Sequence, residues 1–430
     1  MKTTILFLFT LVFLLLAGCQ KRTTNITNRE DYNHFLLSEI DKVKEFSQSE
    51  INFWQEKFDA APNQISYLSK IAANYAALFE QTGDIDYLYK AEDLLLESNE
   101  AMRYSDVGTI RALARNYITQ HRFKEALELA KKAFEIGEGL KETQKLLFDV
   151  NMELGNYDEA KKTLKVLCND NDFDCLIRMS KWNDHKGKLD TAISLMEKAL
   201  EKAKAYENTG LMLWTYSNLG DMYGHAGKIQ EAYDHYLMAL KINPNNSYAL
   251  KGLAWIAFSH EKNTKEALRI INHISKKHNS PDFYLLKAEI AEYEKDERAK
   301  ELSMKEYFKM LEQNNYGVMY NKYNSLIYAD NKSSAQKALE IAQEEINNRP
   351  TPDSYDLLAW AYYNLGDTKK AYEIVQRHVA NKSFEPQLNY HVAAIYKANN
   401  LKNKIKPIKK ELESSIFELG PNMADEIENL

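Results

Sequence analysis

Residues 213–246 read LWTYSNLGDMYGHAGKIQEAYDHYLMALKINPNN. Tyr216, Leu219 and Tyr223 recur at three- and four-residue spacing, and so do Ala232, Tyr236 and Ala239. That spacing places each set on one face of a helix. Gly227-Lys228 separates the two sets, and glycine supplies the left-handed backbone on which a helix ends. Pro244 closes the stretch; at a border it breaks no helix and starts the next one. The segment is a helix–turn–helix unit.

Outward from it the small residue of the second helix recurs as a comb: Ala91, Ala126, Ala160, Ala192, Ala232, Ala267, Ala335 and Ala371, with Ala299 one residue off the period. Alanine is needed where a larger side chain would hold two crossing helices apart. Gly155-Asn156, Gly187-Lys188 and Gly366-Asp367 precede their alanines as Gly227-Lys228 does, and Pro281, Pro352 and Pro386 stand at further borders. With Gly220, the quoted residues fall on positions 4, 7, 8, 11, 20, 24, 27 and 32 of a 34-residue unit. The pattern resembles the tetratricopeptide repeat. That resemblance implies an all-α solenoid of about nine to ten helix pairs in a right-handed superhelix, a binding scaffold rather than a reaction vessel.

Repeats are expected to begin near residues 69, 107, 141, 173, 213, 247, 281, 316, 352 and 386. Residues 31–65 read as N-terminal capping helices, 66–400 as the array, and 401–430 as a lysine-rich capping helix with an acidic, frayed tail. The 430 residues carry only 15 Gly and 8 Pro, which favours helix throughout. The net charge of −6 is mixed along the chain and offers no basic stripe for nucleic acid.

At the N-terminus, Lys2 precedes an apolar stretch from Ile5 to Leu16, which is too short to span a bilayer. Leu16-Ala17-Gly18-Cys19 follows, and residues 1–19 resemble a bacterial lipoprotein signal. The resemblance implies a mature chain starting at a lipidated Cys19, with residues 20–30 as a flexible tether. By resemblance to lipoproteins of diderm bacteria, the absence of Asp after Cys19 argues against the inner membrane and the absence of an acidic run argues against the cell surface, which implies the outer membrane facing the periplasm.

In the repeat family, positions 2, 5, 9, 12 and 13 of the first helix face the concave groove. Carried over, they make the first half charged, with Arg111, Arg115, Lys145, Asp149, Glu153, Lys181 and His185. The second half turns aromatic: Trp214, Tyr248, Trp255, Phe258, Tyr293, Tyr320, Tyr328, Trp360, Tyr363 and Tyr390. Tyr216, Tyr223, Tyr236, Tyr323 and Tyr362 fall on the family's own core positions. Tyrosine and tryptophan give large contact area and keep a polar tip, so they concentrate in binding surfaces.

Cys168 and Cys175 end one repeat and open the next, and in an oxidising compartment they could form a disulfide. Asp170, Asp172 and Asp174 alternate as at the start of a calcium loop, but that loop's glycine and final glutamate are missing. Helix capping accounts for them. The ten histidines show no zinc spacing, and no nucleophile elbow or phosphate loop is present. The expected function is therefore non-enzymatic, with no metal and no cofactor. The partner is another protein or peptide of the cell envelope, reached from a lipid anchor. A glycan-binding lipoprotein using the same aromatics is one alternative, although the long inter-repeat insertions of that class are absent. A periplasmic chaperone for unfolded chains is the other.

Overall fold

The computed structural model describes residues 25–38, 41–168, 172–331 and 333–430. Cys19, the signal segment and Asp170 lie outside them. Helix α1 spans Arg29–Leu36 and α2 spans Lys42–Ala60. Ten pairs follow among the described residues. The first five are α3/α4 (Ser66–Thr82, Ile85–Ala101), α5/α6 (Val107–Thr119, Phe123–Ile136), α7/α8 (Leu140–Glu153, Tyr157–Leu167), α9/α10 (Phe173–His185, Leu189–Ala205) and α11/α12 (Thr209–His225, Ile229–Ile242). The others are α13/α14 (Ser247–Trp255, Thr264–Ile274), α15/α16 (Asp282–Tyr293, Glu297–Gln313), α17/α18 (Asn321–Ala329, Ala335–Asn348), α19/α20 (Pro352–Asn364, Thr368–Ile374) and α21/α22 (Pro386–Ala398, Lys402–Ser414). Short helices α23 (Ile416–Leu419) and α24 (Met423–Glu428) end the chain. Each helix packs mainly on its neighbours in sequence, which makes an all-α solenoid.

The alanine comb is the reason the pairs can stack. All eight on-period alanines are 0% exposed, so no room exists there for a larger side chain. Ala299 is not buried in this way, and α16 uses Tyr307 and Met310 as its buried residues instead. Glycine has a second use in the quoted repeat. A Cβ on Gly220 would stand 2.4 Å from Cε1 of Tyr236, and one on Gly252 would stand 2.4 Å from Cζ of the same ring. The Tyr236 ring is thus clasped between α11 and α13.

Distant repeats also touch, because the array winds far enough for its seventh and eighth pairs to reach its first three. Tyr89 Oη donates to the Asn315 carbonyl (2.8 Å), Asn348 Nδ2 to the His121 carbonyl (3.0 Å), and Arg349 pairs with Glu153 (3.7 Å). Ile85 and Leu88 share a core with Tyr307, Met310 and Tyr316.

Both ends depart from the sequence expectation. Among the residues read as a tether, 25–30 are held in place. Ile26 and Thr27 N–H groups donate to the Glu261 carboxylate at 2.7 and 2.6 Å, and Asn28 N–H donates to Tyr233 Oη at 3.1 Å. Helix α1 does not cap the array. It lies against the middle repeats, where Tyr32 is fully buried and donates to Glu266 (2.7 Å). Burial alone would raise the Glu266 pKa, but donors on Arg269, Tyr32 and Arg29 hold it below the usual carboxylate value. Helix α2, packed on α3, takes the capping role. Nor does the acidic tail fray: residues 416–430 return to the inner side of the solenoid and pack there.

Cys168 and Cys175 stand with Cα atoms 5.0 Å apart, bridged across the turn between α8 and α9. A loop this short contributes roughly 2–3 kcal/mol in the chain-entropy picture. Reduction is expected to raise hydrogen exchange in α8 and α9 while leaving α13–α22 unchanged; identical exchange in both states would show that the bridge does not hold the turn. Asp172 caps α9 by accepting from Cys175 N–H (2.9 Å), and Asp174 pairs with Lys145 (2.8 Å). These roles account for both carboxylates without a metal ion.

Candidate functional site

The inner wall of the second half is built by the first helices of successive pairs, α13, α15, α17, α19 and α21. Helix α13 continues into a π-helical turn, Ile256–His260. A π-turn inserts a residue into the α register and rotates the side chains beyond it. Phe258, expected in the groove, is consequently 0% exposed in the core, while Ser259 and Trp255 turn to the chain's own C-terminus. Trp255 Nε1 (3.0 Å) and Ser259 Oγ (2.6 Å) both donate to the Phe417 carbonyl. Asn422 Nδ2 donates to the Glu289 carbonyl (2.9 Å), and Tyr390 Oη to Glu426 (3.2 Å). Gly420 makes this return possible. Its φ of +84° is in the left-handed region, and an added Cβ would lie 2.4 Å from Glu289 Oε1.

Between this returning segment and the inner wall lies a cavity of about 880 Å³. Trp255, Tyr323, Trp360, Tyr363 and Tyr390 supply its rings. Trp360 stacks on His391 (4.0 Å between centroids, 16° between planes) and on Tyr363 (4.9 Å, 16°). Beneath them His391 Nδ1 lies 2.6 Å from Asp356 Oδ2, and both residues are buried. The carboxylates of Asp282, Glu289, Glu292, Asp330, Glu385, Glu418 and Glu426 also line the cavity, against the ammonium groups of Lys251 and Lys322. Glu289 is pushed up to about 8 by burial and by the neighbouring Glu292, with Lys251 opposing. Burial likewise raises Asp330, against the Trp360 hydrogen bond that lowers it.

Of the twelve residues expected in the groove, four line the cavity: Trp255, Trp360, Tyr363 and Tyr390. The π-turn puts Phe258 in the core. Tyr320 precedes α17 and is buried against Tyr307 and Tyr316, because that repeat begins at 321 rather than 316. Tyr328 stacks on Phe308 and accepts from Lys337 Nζ (2.8 Å), outside the cavity. Trp214, Tyr248 and Tyr293 are exposed elsewhere: Trp214 lies edge-on to Phe173, Tyr248 donates to Asp221, and Tyr293 meets Phe258 edge-on.

The two arginines are not brought into the cavity either. Arg111 is tied to the Glu138 and Gly139 carbonyls and to Thr143 Oγ1 at 3.2–3.3 Å, while Arg115 is exposed. Neighbouring charges of the first half pair across repeats, Arg178 with Asp149 (2.6 Å) and Lys181 with Glu153 (2.8 Å). Tyr323 stands on a core position of the repeat, yet it is 42% exposed and lines the cavity. The late start of α17 turns it inward. The cavity's acidic side leaves no mark in the repeat pattern, since its carboxylates come from several repeats and from the C-terminal segment.

Among the described residues no group of three potential metal ligands occurs, and no helix is long and apolar enough to cross a membrane. Models of the tetratricopeptide repeat match residues 183–245 and 352–377. No curated protein matches the chain. Among solved structures, human IFIT1 bound to PPP-AAAA is similar at 14% identity, covering 77% of each chain with a TM-score of 0.47. PilF of Pseudomonas aeruginosa is similar at 13% identity over 51% of this chain and 96% of its own, with a TM-score of 0.36. A tetratricopeptide repeat protein of Parabacteroides merdae shows 21% identity over 60% and 96%, with a TM-score of 0.35.

Proposed function

We propose that this repeat protein is a non-catalytic binding scaffold of the cell envelope whose protein partner enters the inner cavity of the second half. One observation carries the reading. Five aromatic rings from four different helices converge on one concave space, and Tyr323, 42% exposed there, is not taken up by packing between repeats. Rings that present a face and a polar tip suit a peptide segment better than bulk solvent.

Lipidation at Cys19 is part of this proposal and is supported by the Leu16-Ala17-Gly18-Cys19 sequence after a short apolar stretch. Because residues 25–30 are docked on the middle repeats, six residues separate the lipid from a fixed point. The seven residue steps from Cys19 to Ile26 span at most about 25 Å when extended. The solenoid is therefore held by its middle, close to the membrane surface, instead of hanging from one end. That placement raises the local concentration of membrane-bound partners.

The test is a photoreactive residue at Tyr363, with a second one at the exposed Lys202 of α10 as control. Tyr363 is preferred to Trp255 and Trp360, whose hydrogen bonds to Phe417 and Asp330 support the fold. In the intact cell, one discrete crosslinked protein from position 363 and none from 202 is the expected result. Equal yields from both positions, or capture from 202 alone, would reject the cavity as the partner's seat.

A further inference from the structure

We infer that the cavity selects a cationic segment of the partner, one carrying lysine or arginine side chains, and that the ring wall and the carboxylates hold the cation together. The inference rests on the function proposed above and names the chemistry of that same site.

Three independent features converge. The first is charge: seven carboxylates and two ammonium groups line the cavity, so its field favours a positive guest. Lys251 lies 3.6 Å from Asp282, and Lys300 holds Glu292 at 2.8 Å, but among the described residues Glu289 has neither an ion pair nor a side-chain hydrogen bond. The second is the wall. Trp360, Tyr363 and Tyr390 line the same cavity as these carboxylates, and aromatic rings beside carboxylates are the combination that attracts ammonium and guanidinium groups.

The third is His391, which lines the cavity at 4% exposure. Asp356 engages its Nδ1 at 2.6 Å, which orients the ring, and Nε2 has no partner among the described residues. Nε2 is therefore the polar atom of the ring left for a guest. The C-terminal segment completes the enclosure and adds the carboxylates of Glu418 and Glu426.

Protonation competes with such a guest. The carboxyl, ammonium and imidazole groups that share the cavity with Glu289 are Glu292 and Asp282 on its own helix, Lys251 on α13, Lys322 and Asp330 around α17, Glu385 and His391 at α21, and Glu418 and Glu426 on the C-terminal segment; Glu292 and Lys251 act on it most directly. With the cavity empty, burial holds the Glu289 carboxyl up at about 8, and a bound cation lowers it. Affinity for a cation therefore falls as the pH drops below that of the empty site, by at most about tenfold per pH unit, until the lower pKa of the occupied site is passed. An arginine guest stays charged throughout.

Calorimetric titration of the full chain with an acetylated, amidated peptide of alternating Arg and Gly tests the inference, beside its Lys and Glu counterparts and spermidine. The Arg and Lys peptides are expected to bind at least about tenfold more tightly than the Glu peptide. They should weaken as salt rises from about 0.05 M to about 0.5 M and tighten between about pH 6 and about pH 9. Glu289→Gln with Glu292→Gln should weaken them about tenfold with the helical signal unchanged. Tyr363→Leu provides a second variant that alters no carboxylate. Equal binding of the Glu and Arg peptides, or no change in either variant, overturns the inference. Binding of spermidine with none of the peptides overturns it also, in favour of a small amine. A partner crosslinked at position 363 whose binding ignores charge would sink this inference and leave the proposed function standing. Crosslinking only from position 202 would remove both.

Discussion

Gly220→Ala combined with Gly252→Ala is expected to loosen the middle of the solenoid, with a net loss of about 2 kcal/mol or more. Alanine is ordinarily the better helix former, by up to about 1 kcal/mol per site. Here each new methyl meets the Tyr236 ring at 2.4 Å, one from α11 and the other from α13. The ring cannot swing away from one methyl without striking the other, and its hydroxyl is anchored on Asp221. Overpacking of this kind costs roughly 1–3 kcal/mol per site and outweighs the propensity gain. Hydrogen exchange in α11, α12 and α13 is the measurement, since repeat arrays open locally rather than all at once. The decisive comparison is the same pair of substitutions in a Tyr236→Leu background, where they should be close to neutral. Equal losses in both backgrounds would show that the ring is not the obstacle.

The second large effect concerns the returning C-terminus. A chain ending at Ser415 should lose about 2–4 kcal/mol of local stability around the cavity, because two hydrogen bonds to the Phe417 carbonyl disappear together with buried apolar contacts. Phe417 packs against the main core, Ile427 is 2% exposed, and Leu430 joins the Trp360 and Ile405 clusters. Trp255 loses the cover of Phe417, so tryptophan emission should shift to longer wavelength and exchange should rise in α13, α15 and α21. A synthetic peptide of residues 416–430 added in trans should reverse both changes. Its affinity will be modest, since covalent linkage supplies an effective concentration on the order of millimolar. Emission and exchange indifferent to the truncation would mean that the segment does not dock in solution.

The repeat frame was legible because it is written in short-range pattern. Alanines at the crossing points, glycine at the turns and proline at the borders each answer a local steric demand, and helices begin within a few residues of the expected starts. The candidate site was legible only in part. Trp255, Trp360, Tyr363 and Tyr390 followed from register counting, which holds while helices keep an α period. Register counting failed at Phe258, where a π-turn shifts the phase, and at Tyr320 and Tyr323, where α17 starts late. The surplus of aromatic residues is spread over more positions than the cavity uses, since four of the ten expected rings line it.

Read alone, the residues determined that this chain is a stack of helix pairs, about where most pairs begin, and that its second half carries most of the groove-register aromatics. Those are properties of neighbours within about 34 residues, set by backbone preference and close packing. Only the tertiary structure decided that α1 docks on the middle repeats, that distant repeats touch, and that residues 416–430 wall a cavity rich in carboxylates. Such contacts join positions 133 to 235 residues apart, as between Asn422 and Glu289 or Ile26 and Glu261. Their physical basis is the accumulated curvature of many small inter-repeat rotations, a sum that no single repeat encodes.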